Sequence, residues 1–200
     1  MMYSLSTVLE RAGEFFMGQS PIHKAARRIA QTLSEMKIPF AVAGALATNA
    51  HGHVRTTADV DLLMTPAGLA AFKAEWLGRG WVEKFPGSKG MRDTVHDVRI
   101  DILLTGEYPG DGLAKPVRFP DPAGAATLDP DGTPVLALPV LLELKIASGM
   151  TASHRPRDLD DVIQLIRVNQ LPLDYADRLD PYVHAKYREL WQAAQVTEDF

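Results

Sequence analysis

The chain has 200 residues, with 21 Lys plus Arg against 25 Asp plus Glu and a formal net charge of −4. Hydrophobic residues make up 46% of it, enough to bury a core, so disorder is excluded as the main state. Cys is 0, which excludes disulfides, Cys-ligated zinc and iron–sulfur clusters, and the near-balanced charge gives no global case for nucleic-acid binding.

Val8, Leu9, Ala12, Phe15 and Phe16 form a short amphipathic pattern that predicts a helix within residues 1–20. Its first positive charge is Arg11, and Glu10 and Glu14 interrupt it. It does not read as a signal peptide, no run approaches the roughly 20 apolar residues of a membrane helix, and the expected location is cytoplasmic. Ser20-Pro21 opens a second helix, with Ser as N-cap and Pro at the first helical position. Ile22, Ala25, Ala26, Ile29, Ala30 and Leu33 give that helix its face, and Pro39 ends it. Phe40–Ala43 reads as a buried strand, 46–51 as a short helix closed by Gly52, and Val60–Met64 as a strand. Thr65-Pro66 starts a helix that Gly78 and Gly80 stop. Strands are predicted over 81–85 and 93–104, with 86–90 turning between them.

Residues 106–135 are rich in Gly and Pro. Short strands are expected near 117–119 and 135–136, with a hairpin-type turn at Asp131-Gly132. Helices follow over 139–148, 156–168 and 182–195. The expected fold is therefore α+β: a mixed β-sheet flanked by helices, then a C-terminal helical part. The division falls near Ala137, between a core with N-terminal helices (1–137) and a helical region (138–200).

The chemistry concentrates in Gly44-Ala45 … Arg55-Thr56-Thr57-Ala58-Asp59-Val60-Asp61. On a strand, Asp59 and Asp61 point to one face, a few ångströms apart. Their repulsion would be relieved by a hard divalent cation, for which oxygen ligands suit Mg²⁺. Asp101, in the apolar run Val98–Leu104, would add a third carboxylate if that strand lies beside the first. Gly44, between a strand and a helix, allows a phosphate to approach the backbone. His51 and His53 are better read as satisfied helix-end residues than as ligands. Trp76, Trp81 and Trp191 read as core or interface residues, and Lys84, Lys89 and Arg92 as a solvated loop.

This segment resembles the nucleotidyltransferase superfamily of the DNA polymerase beta type. There a Gly and a Gly or Ser are followed, 9 to 13 residues later, by Asp-hydrophobic-Asp/Glu. Here 13 residues separate Gly44-Ala45 from Asp59-Val60-Asp61. Gly44, Ala47, His51, Gly52, Arg55, Thr57, Asp59 and Asp61 resemble, within that superfamily, the minimal nucleotidyltransferases of the AbiEii toxin-like group. Lys145 followed by Arg155-Pro156-Arg157-Asp158 and Asp161 resembles that group's C-terminal pattern. Ala45 departs from the superfamily's Gly or Ser, keeping the backbone N–H but no hydroxyl.

The resemblance implies a metal-dependent nucleotidyltransferase with Asp59, Asp61 and Asp101 as catalytic and metal-binding residues. Gly44, Ala45, Arg55, Thr57, Lys145, Arg157 and Asp158 would contact an NTP. Arg55 would pair with phosphate or with Asp59, and Asp161 would be structural, orienting Lys145. The implied cofactor is Mg²⁺ or Mn²⁺, and the acceptor a tRNA, a protein or a small molecule. The toxin-like resemblance adds a cognate antitoxin as a partner, and the lack of a long apolar run leads to the expectation of no membrane partner. The alternatives are a non-catalytic nucleotide-binding or partner-regulated protein, and an antibiotic-modifying nucleotidyltransferase.

Overall fold

A computed structural model describes residues 4–152 and 155–196. The N-terminal helices are α1 (Leu5–Phe16) and α2 (Pro21–Glu35). The predicted apolar positions Val8 and Leu9 of α1 lie outside the described side chains. Next come β1 (Phe40–Val42), α3 (Gly44–Ala50), β2 (Asp59–Met64) and α4 (Pro66–Trp76). Proline at the first position starts α2 and α4, where its missing N–H costs nothing. Thr65 caps α4 by accepting from the Gly68 N–H at 3.0 Å. Ser20 does not cap α2, because its hydroxyl is engaged with His23 Nδ1 at 2.9 Å.

The strand expected over 93–104 is two, β4 (Met91–Asp93) and β5 (Val98–Leu104), preceded by β3 (Trp81–Glu83). The break holds neither Gly nor Pro. Asp97 turns the chain in the left-handed region at φ 59°, and the Asp93 carboxylate accepts from the Val95 N–H at 2.9 Å. Residues 117–119 are not a strand. Val117 and Phe119 are buried, and Phe119 exchanges backbone bonds with Gly106 and Glu107. The second short pair is instead β6 (Ala126–Leu128) and β7 (Pro134–Leu136), after the single-turn α5 (Pro122–Ala125). The helices α6 (Leu138–Thr151), α7 (Pro156–Val168) and α8 (His184–Gln195) finish the chain, with two short 3-10 turns before α8.

The seven strands form one mixed sheet in the order β3-β4-β5-β2-β1-β7-β6. β2 runs parallel to β5, and β1 parallel to β7. Alternation along β2 divides two cores. Val60, Leu62 and Met64 pack with Ile29 and Leu33 of α2 and Phe72 of α4. Leu63 faces the other way, into a core built from Leu142 and Ile146 of α6, Val162 and Leu165 of α7 and Tyr187 of α8. The fold is therefore α+β, with the C-terminal helices covering one face of the sheet. Among the described residues, no helix is long and apolar enough to cross a membrane.

Candidate active site

Asp59 and Asp61 share the face of Leu63, and Arg99 and Asp101 the face of Leu103, because side chains alternate along a strand. Parallel pairing sets Asp59 opposite Arg99 and Asp61 opposite Asp101. All four project from the side that the C-terminal helices cover, where that cover opens into a cleft of about 330 Å³. Gly44, Ala45, Thr57, Lys145, Arg157 and Asp158 line the cleft. A second cleft of about 640 Å³ adjoins it, lined by Lys89, Asp101 and Tyr108, and the two share Asp61 and Arg155.

Asp61 sits at the centre. Its backbone carbonyl accepts from the Ala43 N–H at 2.9 Å, which fixes β2 against the turn into α3. Gly44 adopts φ 57°, and a Cβ there would collide with Asp61 Oδ2 and lie 2.7 Å from its carboxyl carbon. Only glycine fits, for conformation and for space alike. The Asp61 carboxylate accepts no hydrogen bond from any described residue. Burial, then the like charges of Asp59 and Asp101, push its pKa up to about 6, against weaker help from Lys145 and Arg155.

Asp59 and Asp101 are engaged. Thr57 Oγ1 donates to Asp59 Oδ1 at 2.7 Å, so Thr57 orients a carboxylate. Arg99 Nη2 donates to Asp59 Oδ2, and its Nε lies 3.3 Å from Asp101 Oδ2. As they stand, no three Asp, Glu or His side chains among the described residues converge to hold a metal ion. The donor chemistry still fits one. Asp61 is a partly buried carboxylate without a donor between two others, and a hard cation with oxygen ligands relieves that conflict.

The opposite wall is a closed charge network. Lys145 and Ser148 lie one turn apart on α6, and Asp158 and Asp161 one turn apart on α7. Lys145 is buried, and its Nζ donates to Asp161 at 2.6 Å and to Asp158 at 3.3 Å. Ser148 Oγ donates to Asp158 Oδ2 at 2.6 Å. Arg55 donates to Asp161 from Nε at 2.6 Å and from Nη2 at 2.8 Å. Asp161, not the expected Asp59, holds Arg55. Its backbone is clamped by Asn49, which accepts from the Arg55 N–H at 2.9 Å and donates to its carbonyl at 3.0 Å. Burial works to raise the Asp161 pKa, but the bonds from Arg55 and the charge of Lys145 outweigh it and hold the carboxyl below its usual range. Asp161 thus orients Lys145, as the sequence reading expected.

The sequence pattern gives no sign of Arg99 or Ser148, and it holds Arg155 within the C-terminal motif without a role. Arg155 and Arg157 line the cleft and form no side-chain ion pair with any described residue. His51 is satisfied, with Nε2 2.7 Å from the Leu136 carbonyl, and His53 Nε2 lies 3.7 Å from Asp161. Lys89 pairs with Glu107, and Arg92 with Asp97 at 2.5 Å. Trp81 is core, whereas Trp191 is partly buried and donates to the Leu171 carbonyl at 2.9 Å.

No protein-family model matches the chain, and no curated protein is significantly similar to it. Among solved structures, ANT(2")-Ia in complex with adenylyl-2"-tobramycin is similar at 13% identity and a TM-score of 0.43, over 86% of this chain and 88% of that one. Residue roles in this chain rest on its own geometry.

Proposed function

We propose that this chain is a metal-dependent nucleotidyltransferase that moves a nucleoside monophosphate from an NTP to an acceptor hydroxyl. The observation that carries the proposal is Asp61, a carboxylate that accepts no hydrogen bond from any described residue, against which a glycine backbone packs with no room for a Cβ, in a cleft edged by Arg155 and Arg157, which form no side-chain ion pair with any described residue. Asp59, Asp61 and Asp101 would hold Mg²⁺ or Mn²⁺, which supplies neutralisation of the triphosphate and acidifies the acceptor hydroxyl. Gly44 and the Ala45 N–H let a phosphate approach the backbone closely. Arg155 and Arg157 offset negative charge as it develops. The Lys145 ammonium, tied to Asp158 and Asp161, acts as a fixed positive charge in the wall of the cleft. Thr57 holds Asp59 in orientation. The acceptor oxygen bonds to the α-phosphorus, its proton passes to Asp101, and the bond to the β-phosphate breaks to release pyrophosphate.

The test is transfer itself. The protein and its Asp59→Ala/Asp61→Ala variant are incubated with each α-labelled NTP, Mg²⁺ or Mn²⁺, and total tRNA, protein or a small hydroxylated acceptor. Label on an acceptor only with the intact Asp pair is expected, and the labelled species names the acceptor class. Nucleotide binding by calorimetry without pyrophosphate release would replace catalysis by a binding role. Full activity in the variant would end the proposal. Should the acceptor be tRNA or a cellular protein, loss of growth on expression, relieved by a co-expressed antitoxin, would establish the toxin reading.

A further inference from the structure

We propose that Arg99 is a resident counter-cation of the carboxylate site, displaced when a divalent cation binds, and that it sets how tightly the nucleotide-free protein takes up metal. The inference rests on the reading of Asp59, Asp61 and Asp101 as metal ligands. It starts from register: β2 and β5 run parallel, so Arg99 faces Asp59 across the sheet and stands two residues from Asp101 on the same face. Its guanidinium reaches both, donating to Asp59 through Nη2 and lying 3.3 Å from Asp101 through Nε. Carboxylate lone pairs turned to this guanidinium are unavailable to a metal. Arg99 thus engages two of the three carboxylates on this face and donates no hydrogen bond to Asp61, which accepts none from any described residue.

Two cationic side chains show what makes Arg99 exchangeable. Arg55 has 24% of its side chain exposed and is held twice by an Asp161 that is 1% exposed, so withdrawing it would strand a buried charge. Arg99 is 53% exposed, and its partners Asp59 and Asp101 are 21% and 43% exposed. Its guanidinium loses little on returning to water, and such pairs are worth little net. A divalent cation offers the same two carboxylates twice the charge and engages Asp61 as well. Arg99 therefore keeps the site neutralised without blocking it, and the metal binds to the fraction of molecules in which Arg99 has let go.

The experiment is a Mn²⁺ titration of the nucleotide-free protein, followed by the paramagnetic signal of free Mn²⁺. Arg99→Gln should bind Mn²⁺ roughly three- to tenfold more tightly than wild type, because the competing ion pair is gone. Arg99→Lys, which keeps the charge but loses the two-pronged reach, should fall between them. Arg92→Gln is the control for charge alone: Arg92 is the register partner of Arg99 on β4, equally exposed, and paired with Asp97. It should move affinity less than twofold. Equal affinity in wild type and Arg99→Gln, with both binding Mn²⁺, overturns the role of Arg99 and leaves the metal site intact. An equal gain in Arg92→Gln also overturns it, assigning the effect to net charge. Failure of wild type and Arg99→Gln alike to bind Mn²⁺ overturns the ligand reading and this inference together.

Discussion

Asp161 and Asp61 bracket the same cleft, and the fold treats them in opposite ways. Asp161 is buried and surrounded by donors: two bonds from Arg55 and one from Lys145 hold its carboxyl ionised. Asp61 is partly buried, accepts no hydrogen bond from any described residue and sits between two further carboxylates, so its pKa rises to about 6. A charge that stabilises the fold is paired within the fold. A charge left in conflict stores free energy that a ligand can release, which is the ground on which Asp61 is proposed as the functional member of the pair.

The largest effect should come from breaking the satisfied side. Asp161→Asn leaves Arg55 without its anion and the buried Lys145 with only Asp158 at 3.3 Å, which should cost about 3 kcal/mol and lower the melting temperature by roughly 10 °C. Thermal melting checks this, and a variant as stable as wild type would show that the network is not structural. Next, Gly44→Ala meets both the left-handed φ and the Asp61 carboxylate, at a cost of roughly 2–3 kcal/mol. In an Asp61→Ala background the steric part should vanish, so a double-mutant cycle should show the cost shrinking.

The smallest effect has the opposite sign. The folded-state pKa of Asp61 lies above the ordinary 3.8, so the native chain holds the proton more tightly. Its contribution to stability is full below about pH 4 and is lost as pH rises through about 6. Asp61→Asn stays neutral, so at pH 7 it should be more stable than wild type by about 2 kcal/mol after solvent screening, or roughly 4–8 °C. The gain should disappear near pH 4, while activity falls by orders of magnitude. Asp161 titrates the other way: its depressed pKa stabilises the fold above the ordinary carboxylate range and loses that effect as pH falls. A pH series of melting curves on the two Asn variants separates the carboxylates.

Local chemistry made much of this legible in the sequence. The Asp-x-Asp alternation follows from period-two geometry and the Gly44 turn from its place between a strand and a helix, whereas Asp101 stands out only through the resemblance, and the parallel pairing of β2 with β5 sets it opposite Asp61. The partner of Arg55 did not, because 106 residues separate it from Asp161 and no local pattern couples them. Arg99 was silent for a different reason: one arginine in an alternating strand reads as a solvent-facing position until register sets it beside Asp59. The turn at 94–97 was hidden because an aspartate, Asp97, takes the left-handed conformation usually signalled by glycine.

The Arg55–Asp161 bond also bears on how the molecule is made. Closing a loop of that length carries a chain-entropy cost that only a formed tertiary core repays. A growing chain that has emerged through β7 can already pair β1 with β7, yet it lacks Asp161, the anion for Arg55, and with it Lys145 and the two cleft arginines. Its carboxylates stand exposed with no opposing wall. Activity of the kind proposed would therefore switch on late in synthesis, after α7 has docked, and a prematurely terminated chain would be inert.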